Sequence, residues 1–349
     1  MHITLAYVVY QFCVGYAIPA TTIAYTCSCT IPIAIWYSSY GKRNLLRSLF
    51  VKFNRMKARR KNKSNYQPLV INIALSVTFL ATFVPATVLA IFLFSSNKEA
   101  TVFYSFNNIS KQNQSRYLVS FTISNLFLMT QITFPSIITI LCCVVYHKCG
   151  DLFKPLLEQL ENYRVDKPRQ YRMNHLLQKY QDLYKLTHQV EKTVKTTSFM
   201  VLVSHMLNMY LNLANYVIER DFAIWEIAEF LPVTFLSPTL VVAMVLCGSR
   251  ITTQVKEMQY HLQIILCDLK RAVNRDMETL EMVKIMLDTK FTTMSAGGMV
   301  QFTPGLVLSV FGSLLSFGLL MLNITISSVD SIAALDPAPD LNKNGSIEV

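Results

Sequence analysis

Small residues, several of them polar and none charged, occupy an apolar segment near the end of the chain. They are the residues of that segment best suited to contact an ion or another helix. They are Gly305, Ser309, Gly312, Ser313, Ser316 and Gly318, followed by Asn323. Hydroxyls and an amide on one helical face can replace part of the water around an ion in a narrow path. Small residues on one face also let two membrane helices approach closely. The segment is therefore either a pore lining or a close helix contact.

Ionisable groups are missing from the apolar segments, none of which contains Asp, Glu, Lys or Arg. The chain also has no paired carboxylates in these segments, no phosphate-binding glycine-rich loop and no metal-ligand spacing. Proton-coupled pumps and transporters of charged substrates usually need ionisable groups within the membrane. His205 is the one candidate, and a bond to a neighbouring helix is the commoner role of a lone histidine. We therefore expect neither an enzyme nor a cofactor nor a metal.

Five polar or aromatic residues fall in, or in the case of Trp225 beside, what would be the outer halves of the apolar segments: Asn125, Asn212, Asn215, Tyr216 and Trp225. Ligand pockets are mainly apolar with a few well-placed polar groups, so these residues are candidates for a ligand pocket. Hydrogen bonds between helices are the commoner role of each asparagine. The five residues do not identify a sugar, a bitter compound or a lipid.

Six apolar segments are long enough to hold these residues in membrane-spanning helices, which need roughly 20 residues each. The chain is 52% hydrophobic and 15% charged, whereas soluble domains carry about 25% charged residues. We place the spans at about 17–37, 68–94, 118–146, 199–218, 230–248 and 299–322. Residues 3–16 are also apolar and would form an outer extension or the remnant of another span.

The distribution of basic residues predicts the orientation of these spans. Of the 32 lysines and arginines, 27 lie in the loops 41–67, 148–198 and 249–291. Basic residues favour the cytoplasmic ends of spans, so these loops are expected inside and both ends of the six-span chain outside. The net charge of +11 then faces the cytosol and anionic lipid. We expect no binding to nucleic acid, for which the chain has no reading module.

Sequons agree in part with this orientation. Asn108 and Asn113 begin sequons in the expected outer loop 95–117, and Asn344 begins one in the tail. A further sequon at Asn62 lies in the most basic loop and is expected to stay unmodified. We predict glycosylation at Asn108 and Asn113.

Two inner loops have the periodicity of helices. Apolar residues recur at helical spacing through 151–195 and 252–291, with a break at Asp166-Lys167-Pro168. Such helices either lie flat on the membrane or pack together as a cytosolic anchor, and we expect the anchor. The predicted fold class is therefore all-α: a polytopic helical membrane bundle with cytosolic helical extensions, forming one domain over 1–323.

The end of the last span resembles a family signature. Ser316-Phe317-Gly318-Leu319-Leu320-Met321-Leu322-Asn323-Ile324 is similar to the Thr-Tyr, five apolar residues, Gln-Phe signature of arthropod gustatory receptors, with Ser, Phe, Asn and Ile as mild replacements. The approach to it from Phe291 and the order of inner and outer loops also resemble that family. The resemblance covers residues 17–324.

The resemblance implies a seven-span chemoreceptor in the plasma membrane, with its N-terminus inside and its C-terminus outside. Such receptors resemble ligand-gated cation channels, assembled as tetramers of identical or mixed subunits around a pore lined by the last helix. A tastant or other small molecule would bind in the outer half of the bundle. This chain would then lack the family's first span, and 324–349 would be a disordered extracellular tail.

The resemblance also implies roles for residues of the last span. Asn323 takes the position of the family's glutamine, near the outer constriction of the pore, and Ser316 takes that of its threonine. Phe317 and Leu322 would be packing or hydrophobic-gate positions. Four asparagine amides would ring the ion path and exchange with its hydration.

Two other functions fit a helical membrane protein. A G-protein-coupled receptor would have a cytosolic C-terminus and commonly an outer disulfide, but the predicted outer loops contain no cysteine. Its usual Asp-Arg-Tyr and Asn-Pro-x-x-Tyr motifs do not occur either. A small-solute transporter would show repeated halves or broken helices, and no internal repeat is visible.

Overall fold

The structure is a computed structural model of the chain. It describes residues 19–58, 67–95, 122, 125–126, 128–165, 170–218, 224–271 and 277–335. The described residues form eight α-helices, one π-helical turn and one two-stranded hairpin. The predicted all-α class is confirmed, and the short hairpin is a feature that the sequence analysis did not predict.

The described elements follow one another along the chain. They are α1 (Pro19–Gly41), α2 (Arg43–Ala58), α3 (Gln67–Ser95), the π-helical turn (Met129–Thr133), α4 (Phe134–Val165), α5 (Gln170–Ile218), α6 (Ile224–Arg271), α7 (Met277–Asp288), β1 (Ser295–Ala296), β2 (Val300–Gln301) and α8 (Pro304–Leu335). The two strands pair antiparallel. Among the described residues, three helical segments are long and apolar enough to cross a membrane: Met129–Tyr163, Val233–Arg271 and Pro304–Ile324.

The predicted inner ends of the last four spans meet at one level of the molecule. The hydroxyl oxygens of Tyr146 and Ser198 lie 2.9 Å apart. The ring of Tyr146 also packs edge-on against Phe302, with 5.6 Å between centroids. Gly248 lies against the same phenylalanine, because a Cβ built on Gly248 would be 2.7 Å from the Phe302 ring. We call this level, defined by Tyr146, Ser198, Gly248 and Phe302, the inner layer.

Helices α4, α5 and α6 pass through the inner layer without a break. Helix α5 has 49 residues, which corresponds to about 74 Å of helix. The hydrocarbon core of a bilayer is only about 30 Å thick. A large part of α5, and by the same argument of α6 with its 48 residues, must therefore lie outside the membrane.

Beyond the inner layer, these helices and α7 bury their apolar faces against one another. The buried residues include Leu156, Leu160, Tyr180, Leu183, Met258, Leu262, Leu280 and Val283. Met277 belongs to the apolar periodicity of 252–291 but is 65% exposed. Helices lying flat on a membrane would leave these faces uncovered by protein. The predicted packing of these helices into an anchor is therefore confirmed, and its cytosolic side stays a prediction.

Aromatic residues join the end of α7 to the centre of the anchor. Phe291 packs against Phe153, Tyr180 and Tyr184, with centroid distances of 5.7, 5.1 and 5.5 Å. The hydroxyl of Tyr180 donates a hydrogen bond to the carbonyl oxygen of Met286 at 2.5 Å. These contacts hold the point at which the chain leaves α7 and turns back toward the inner layer.

The last helix is longer than predicted. It continues to Leu335, whereas the predicted span ends at 322 and the tail 324–349 was predicted to be disordered. The sequence has no proline or glycine between Gly318 and Pro337. A helix commonly ends before a proline, which disfavours helical backbone at the preceding residue. The disorder prediction is therefore wrong for 324–335.

Candidate functional site

Helix α8 presents small and polar residues away from the rest of the chain. Gly305, Ser309, Gly312 and Ser316 are all exposed and recur every three or four residues, so they share one face. Val310 is buried in the main core on the opposite side. We call these four residues together with Asn323 the outward face of α8.

Two of the residues predicted at the pore lie on the outward face. Ser316 and Asn323 are seven residues apart, which corresponds to about two helical turns, and both are exposed. Leu322 lies at the edge of this face and is also exposed. Leu308, Leu315 and Leu319 flank the face on the same side and are 76%, 66% and 56% exposed. An apolar border thus runs along the polar face.

Other residues of the predicted small face contact α5 instead. The ring of Phe317 packs edge-on against Tyr210, with centroids 5.0 Å apart, which fits the packing role rather than the gate. The Tyr210 hydroxyl donates to Ser313 Oγ at 2.7 Å. Gly318 is buried, and a Cβ on it would lie 3.2 Å from Leu213. Placing Gly318 beside Ser316 was wrong, since two residues correspond to about 200° around a helix.

A glycine turn joins the anchor to α8. Gly297 and Gly298 have φ values of 67° and 79°, in the left-handed region that glycine adopts without strain. The backbone N–H of Gly297 donates to the carbonyl oxygen of Lys195 in α5 at 2.8 Å. The chain therefore turns at this pair, and the bond to Lys195 ties the hairpin directly to the anchor.

Glu191 of α5 is buried beneath this hairpin. Its carboxylate accepts a hydrogen bond from Ser295 Oγ at 2.5 Å and a second from the Ser295 backbone N–H at 3.3 Å. Burial raises the pKa of Glu191, although the bonds from Ser295 and the nearby Lys195 cation act in the opposite direction. We call the pair Glu191 and Ser295 the hairpin clasp.

A ring of buried polar side chains connects α1, the π-helical turn and α5. With its amide oriented to suit both neighbours, Gln131 donates to Ser28 Oγ at 2.7 Å. Ser28 Oγ donates to Asn208 Oδ1 at 3.0 Å, and Asn208 Nδ2 donates to the Gln131 carbonyl oxygen at 3.1 Å. Sequence analysis missed this ring because its members are isolated polar residues in three apolar segments.

His205 has the role that the sequence analysis favoured. One ring nitrogen lies 2.8 Å from Thr139 Oγ1 of α4, and the other lies 3.2 Å from Ser237 Oγ of α6. The side chain therefore links three helices and has both nitrogens occupied. Among the described residues, no group of three His, Cys, Asp or Glu side chains could hold a metal ion.

Four of the five candidate pocket residues have described side chains. Asn212 donates to Thr234 Oγ1 of α6 at 2.7 Å, which is the interhelical bond considered as the alternative to a ligand contact. Asn215 is partly buried and Tyr216 is exposed, three and four residues further along α5. Asn125 is also partly buried.

Three further predicted residues are Trp225, Asn108 and Asn113. The backbone of Trp225 belongs to α6, but its side chain lies outside the described residues. Both predicted glycosylation sites, Asn108 and Asn113, also lie outside them. These three residues remain predictions.

Comparison with known proteins finds matches among solved structures. No protein-family model and no curated protein matches the chain. The solved structure of the insect olfactory receptor OR5 from Machilis hrabei has a TM-score of 0.61 at 12% sequence identity, covering 93% of this chain and 86% of that one. The chain has the fold of an insect olfactory receptor. The same receptor in complex with eugenol gives a TM-score of 0.59 at 12% identity, covering 92% and 88%.

The likeness to this receptor structure confirms the expected class of helical membrane bundle. At 12% identity the two proteins share a fold, and individual residues are not matched by the comparison. The assignment to the gustatory type therefore stays a prediction based on the sequence of the last span.

Proposed function

We propose that this protein is a gustatory-type chemoreceptor that acts as a ligand-gated cation channel. The observation that carries the proposal is the outward face of α8, where small and polar residues point away from the chain's own helices. Polar groups in a membrane helix need water, an ion or a partner group opposite them. A central path surrounded by copies of α8 meets this need.

The spacing of the polar groups supports an ion path. Ser309, Ser316 and Asn323 recur every seven residues, so their levels are about 10 Å apart. Ser309 Oγ donates its proton to the carbonyl oxygen of Gly305 at 3.1 Å. Its lone pairs are thereby left on the outward side. Rings of such uncharged oxygens can substitute for water around a cation.

The assembly would be a tetramer of identical or mixed subunits. The exposed leucines beside the outward face would pack on neighbouring copies of α8 or on lipid. The helical anchor supplies a rigid support at which further subunit contacts can form. Four copies place four Ser316 and four Asn323 side chains around one path.

The ligand would be a small organic molecule in the outer half of the bundle. The candidate residues are Asn125, Asn212, Asn215, Tyr216 and Trp225. The structural neighbour in complex with eugenol supports a ligand of this size in this fold. The polar ring of Ser28, Gln131 and Asn208 lies in the same bundle and would influence how the helices around a ligand move.

The gustatory type is supported by the segment from Ser316 to Ile324, with its resemblance to the gustatory receptor signature. The charge pattern supports a plasma-membrane protein with the basic loops in the cytosol and the C-terminus outside. Asn108 and Asn113 would then be glycosylated.

Orientation separates this proposal from a G-protein-coupled receptor. An epitope tag at the C-terminus should be stained by antibody on intact cells. Staining only after permeabilisation would contradict the proposed topology. A tag inserted in the basic segment 59–66 is the matched control, and it should stain only in permeabilised cells.

Current measurements test the function itself. Cells expressing the chain should show ligand-induced cation current with at least one member of a panel of sugars, bitter compounds and volatile organic molecules. Ser316→Trp should abolish that current at unchanged surface level. Leu80→Trp, the same kind of enlargement at a 60% exposed residue of α3, should retain it. Full current in Ser316→Trp would argue against a pore at the outward face.

A further inference from the structure

Helix α2 carries a groove lined by side chains that suit a phosphate group. Its lining residues are Asn44, Arg47, Ser48, Val51, Lys52 and Arg55. They form two neighbouring ridges with a spacing of four residues, 44–48–52 and 47–51–55. Five of the six can donate hydrogen bonds, and three of those are cationic. Helix α2 contains no acidic residue, so nothing within the helix neutralises this groove.

The rest of the chain fixes the direction in which the groove faces. Leu49 and Phe53 are buried in the main core, on the opposite side of α2. The ammonium of Lys148 lies 5.3 Å from the centroid of the Phe50 ring, at the border of the buried side. The groove therefore lies on the other side of α2, where Asn44, Arg47, Val51 and Arg55 are exposed.

Helix α2 also stays close to the inner layer. Ser38 Oγ lies 3.2 Å from Thr197 Oγ1, and Lys52 Nζ donates to Gln189 Oε1 at 2.5 Å. The two α5 residues are eight positions apart, about 12 Å along the helix. The side chain of Lys52 therefore contacts α5 about 12 Å along that helix from the level of Thr197.

Aromatic side chains mark the membrane surface just before α2. Trp36, Tyr37 and Tyr40 are each at least 50% exposed, and Trp and Tyr are enriched at membrane–water interfaces. Trp36 stacks on Tyr40, with 6.2 Å between centroids. The guanidinium of Arg43 lies 4.3 Å from the Tyr40 ring centroid. Exposed aromatic rings thus lead directly into the basic helix.

We propose that the groove on α2 binds the phosphate of an anionic lipid in the cytoplasmic leaflet. Arg47, Lys52 and Arg55 would pair with the phosphate, and Asn44 and Ser48 would donate to its remaining oxygens. The exposed side chains of Leu45 and Val51 would meet the acyl chains. The leaflet named here rests on the proposed orientation, but the affinity for anionic lipid does not.

Quenching of Trp36 by brominated lipid tests the site in the full chain. The chain has two tryptophans, so Trp225→Phe leaves Trp36 as the only fluorescent tryptophan. Nanodiscs would contain equal amounts of phosphatidylserine and phosphatidylcholine, with bromine near the headgroup of one lipid at a time. We expect the relative binding constant at Trp36 to favour phosphatidylserine about fivefold, which corresponds to roughly 1 kcal/mol.

Two matched double variants test whether the lipid preference comes from the groove or from positive charge anywhere on the protein. In the double variant Arg47→Gln with Arg55→Gln, the ratio of the binding constants for phosphatidylserine and phosphatidylcholine should fall to nearly one. Lys270→Gln with Arg271→Gln removes the same charge at the far end of α6, about 35 Å beyond Gly248, and should leave the preference unchanged because that distance is several Debye lengths. Equal quenching by both lipids, or an undiminished preference in the first variant, would overturn the proposal.

A competition experiment distinguishes binding of a lipid phosphate from binding of soluble phosphate. Inorganic phosphate at millimolar concentration, added at constant ionic strength, should not displace brominated phosphatidylserine. Displacement would assign the groove to a soluble anion and overturn the lipid proposal. Both leaflets of a nanodisc are identical, so this readout does not depend on channel activity or orientation.

Discussion

At the scale of single residues, the hairpin clasp buries the carboxyl group of Glu191, where water cannot solvate its charge. A buried carboxylate is unfavourable by several kcal/mol unless hydrogen bonds and a nearby positive charge offset this. Ser295 supplies two hydrogen bonds to Glu191, and Lys195 supplies the charge. The clasp therefore fixes the position of the hairpin from which α8 begins.

The raised pKa of Glu191 gives the clasp a pH dependence. The folded chain binds a proton on the Glu191 carboxyl group more tightly than the unfolded chain does. The stability that this group contributes is therefore present at low pH and is lost as pH rises through the raised pKa. Glu191→Gln removes that loss, because its neutral amide oxygen still accepts from Ser295. We expect the melting temperature of Glu191→Gln in detergent to match wild type near pH 4 and to exceed it near pH 8.

Glu191→Ala is the control for this prediction. It leaves the Ser295 donors without their partner, so it should lower stability by about 1–3 kcal/mol at both pH values. A Glu191→Gln protein that melts below wild type near pH 8 would show that the ionised carboxylate stabilises the clasp, contrary to the sign argued here.

At this scale, the sequence is informative where the physical cause is local. The bend at Gly297 and Gly298 follows from the conformational freedom of two adjacent glycines. The bonds of His205 follow from the need of a buried imidazole for partners. The ring of Ser28, Gln131 and Asn208 depends on how three separate helices are rotated, which none of their local sequences specifies.

At the scale of elements, periodicity predicted the cytosolic continuations of the spans but not the rotation of α8. The helical spacing of apolar residues in 151–195 and 252–291 is long enough to specify one buried face. In α8 small residues occur on more than one side, as Gly312 and Gly318 illustrate. Only the contact with Tyr210 and Leu213 of α5 decides which side is covered.

Close contact between elements at the inner layer makes Gly248 sensitive to size. A methyl group at Gly248 would come within 2.7 Å of the Phe302 ring, whereas one at Gly312 would meet nothing within 4 Å. Overpacking typically destabilises by about 1–3 kcal/mol, and alanine is intrinsically better in helices than glycine by about 1 kcal/mol. We expect Gly248→Ala to lower the melting temperature and Gly312→Ala to leave it unchanged or raise it. Equal effects of the two substitutions would show that Phe302 moves aside freely.

At the scale of the whole molecule, the charge map and the anchor give one consistent arrangement. The three most basic loops are those that contain or adjoin α2 and the parts of α4, α5, α6 and α7 that lie beyond the inner layer. The class of fold could be predicted because hydropathy and charge are summed over many residues. The length of α8 could not be predicted, since an apolar tail without proline or glycine near its start is compatible with helix or coil.

The whole assembly depends on what faces the outward side of α8. In the described chain this side is exposed, and the proposed tetramer encloses it around the ion path. A reagent that reaches the path from water should therefore modify positions on the outward face. Positions on the face that packs against the rest of the chain should be protected.

Cation current during exposure to a membrane-impermeant, positively charged methanethiosulfonate tests this claim most directly. Ser316→Cys should be blocked rapidly and irreversibly while the channel is open. Wild type, with its own eight cysteines, and Val310→Cys on the buried face should keep their current. Unchanged current in Ser316→Cys, or equal block at both engineered positions, would contradict a pore lined by the outward face of α8.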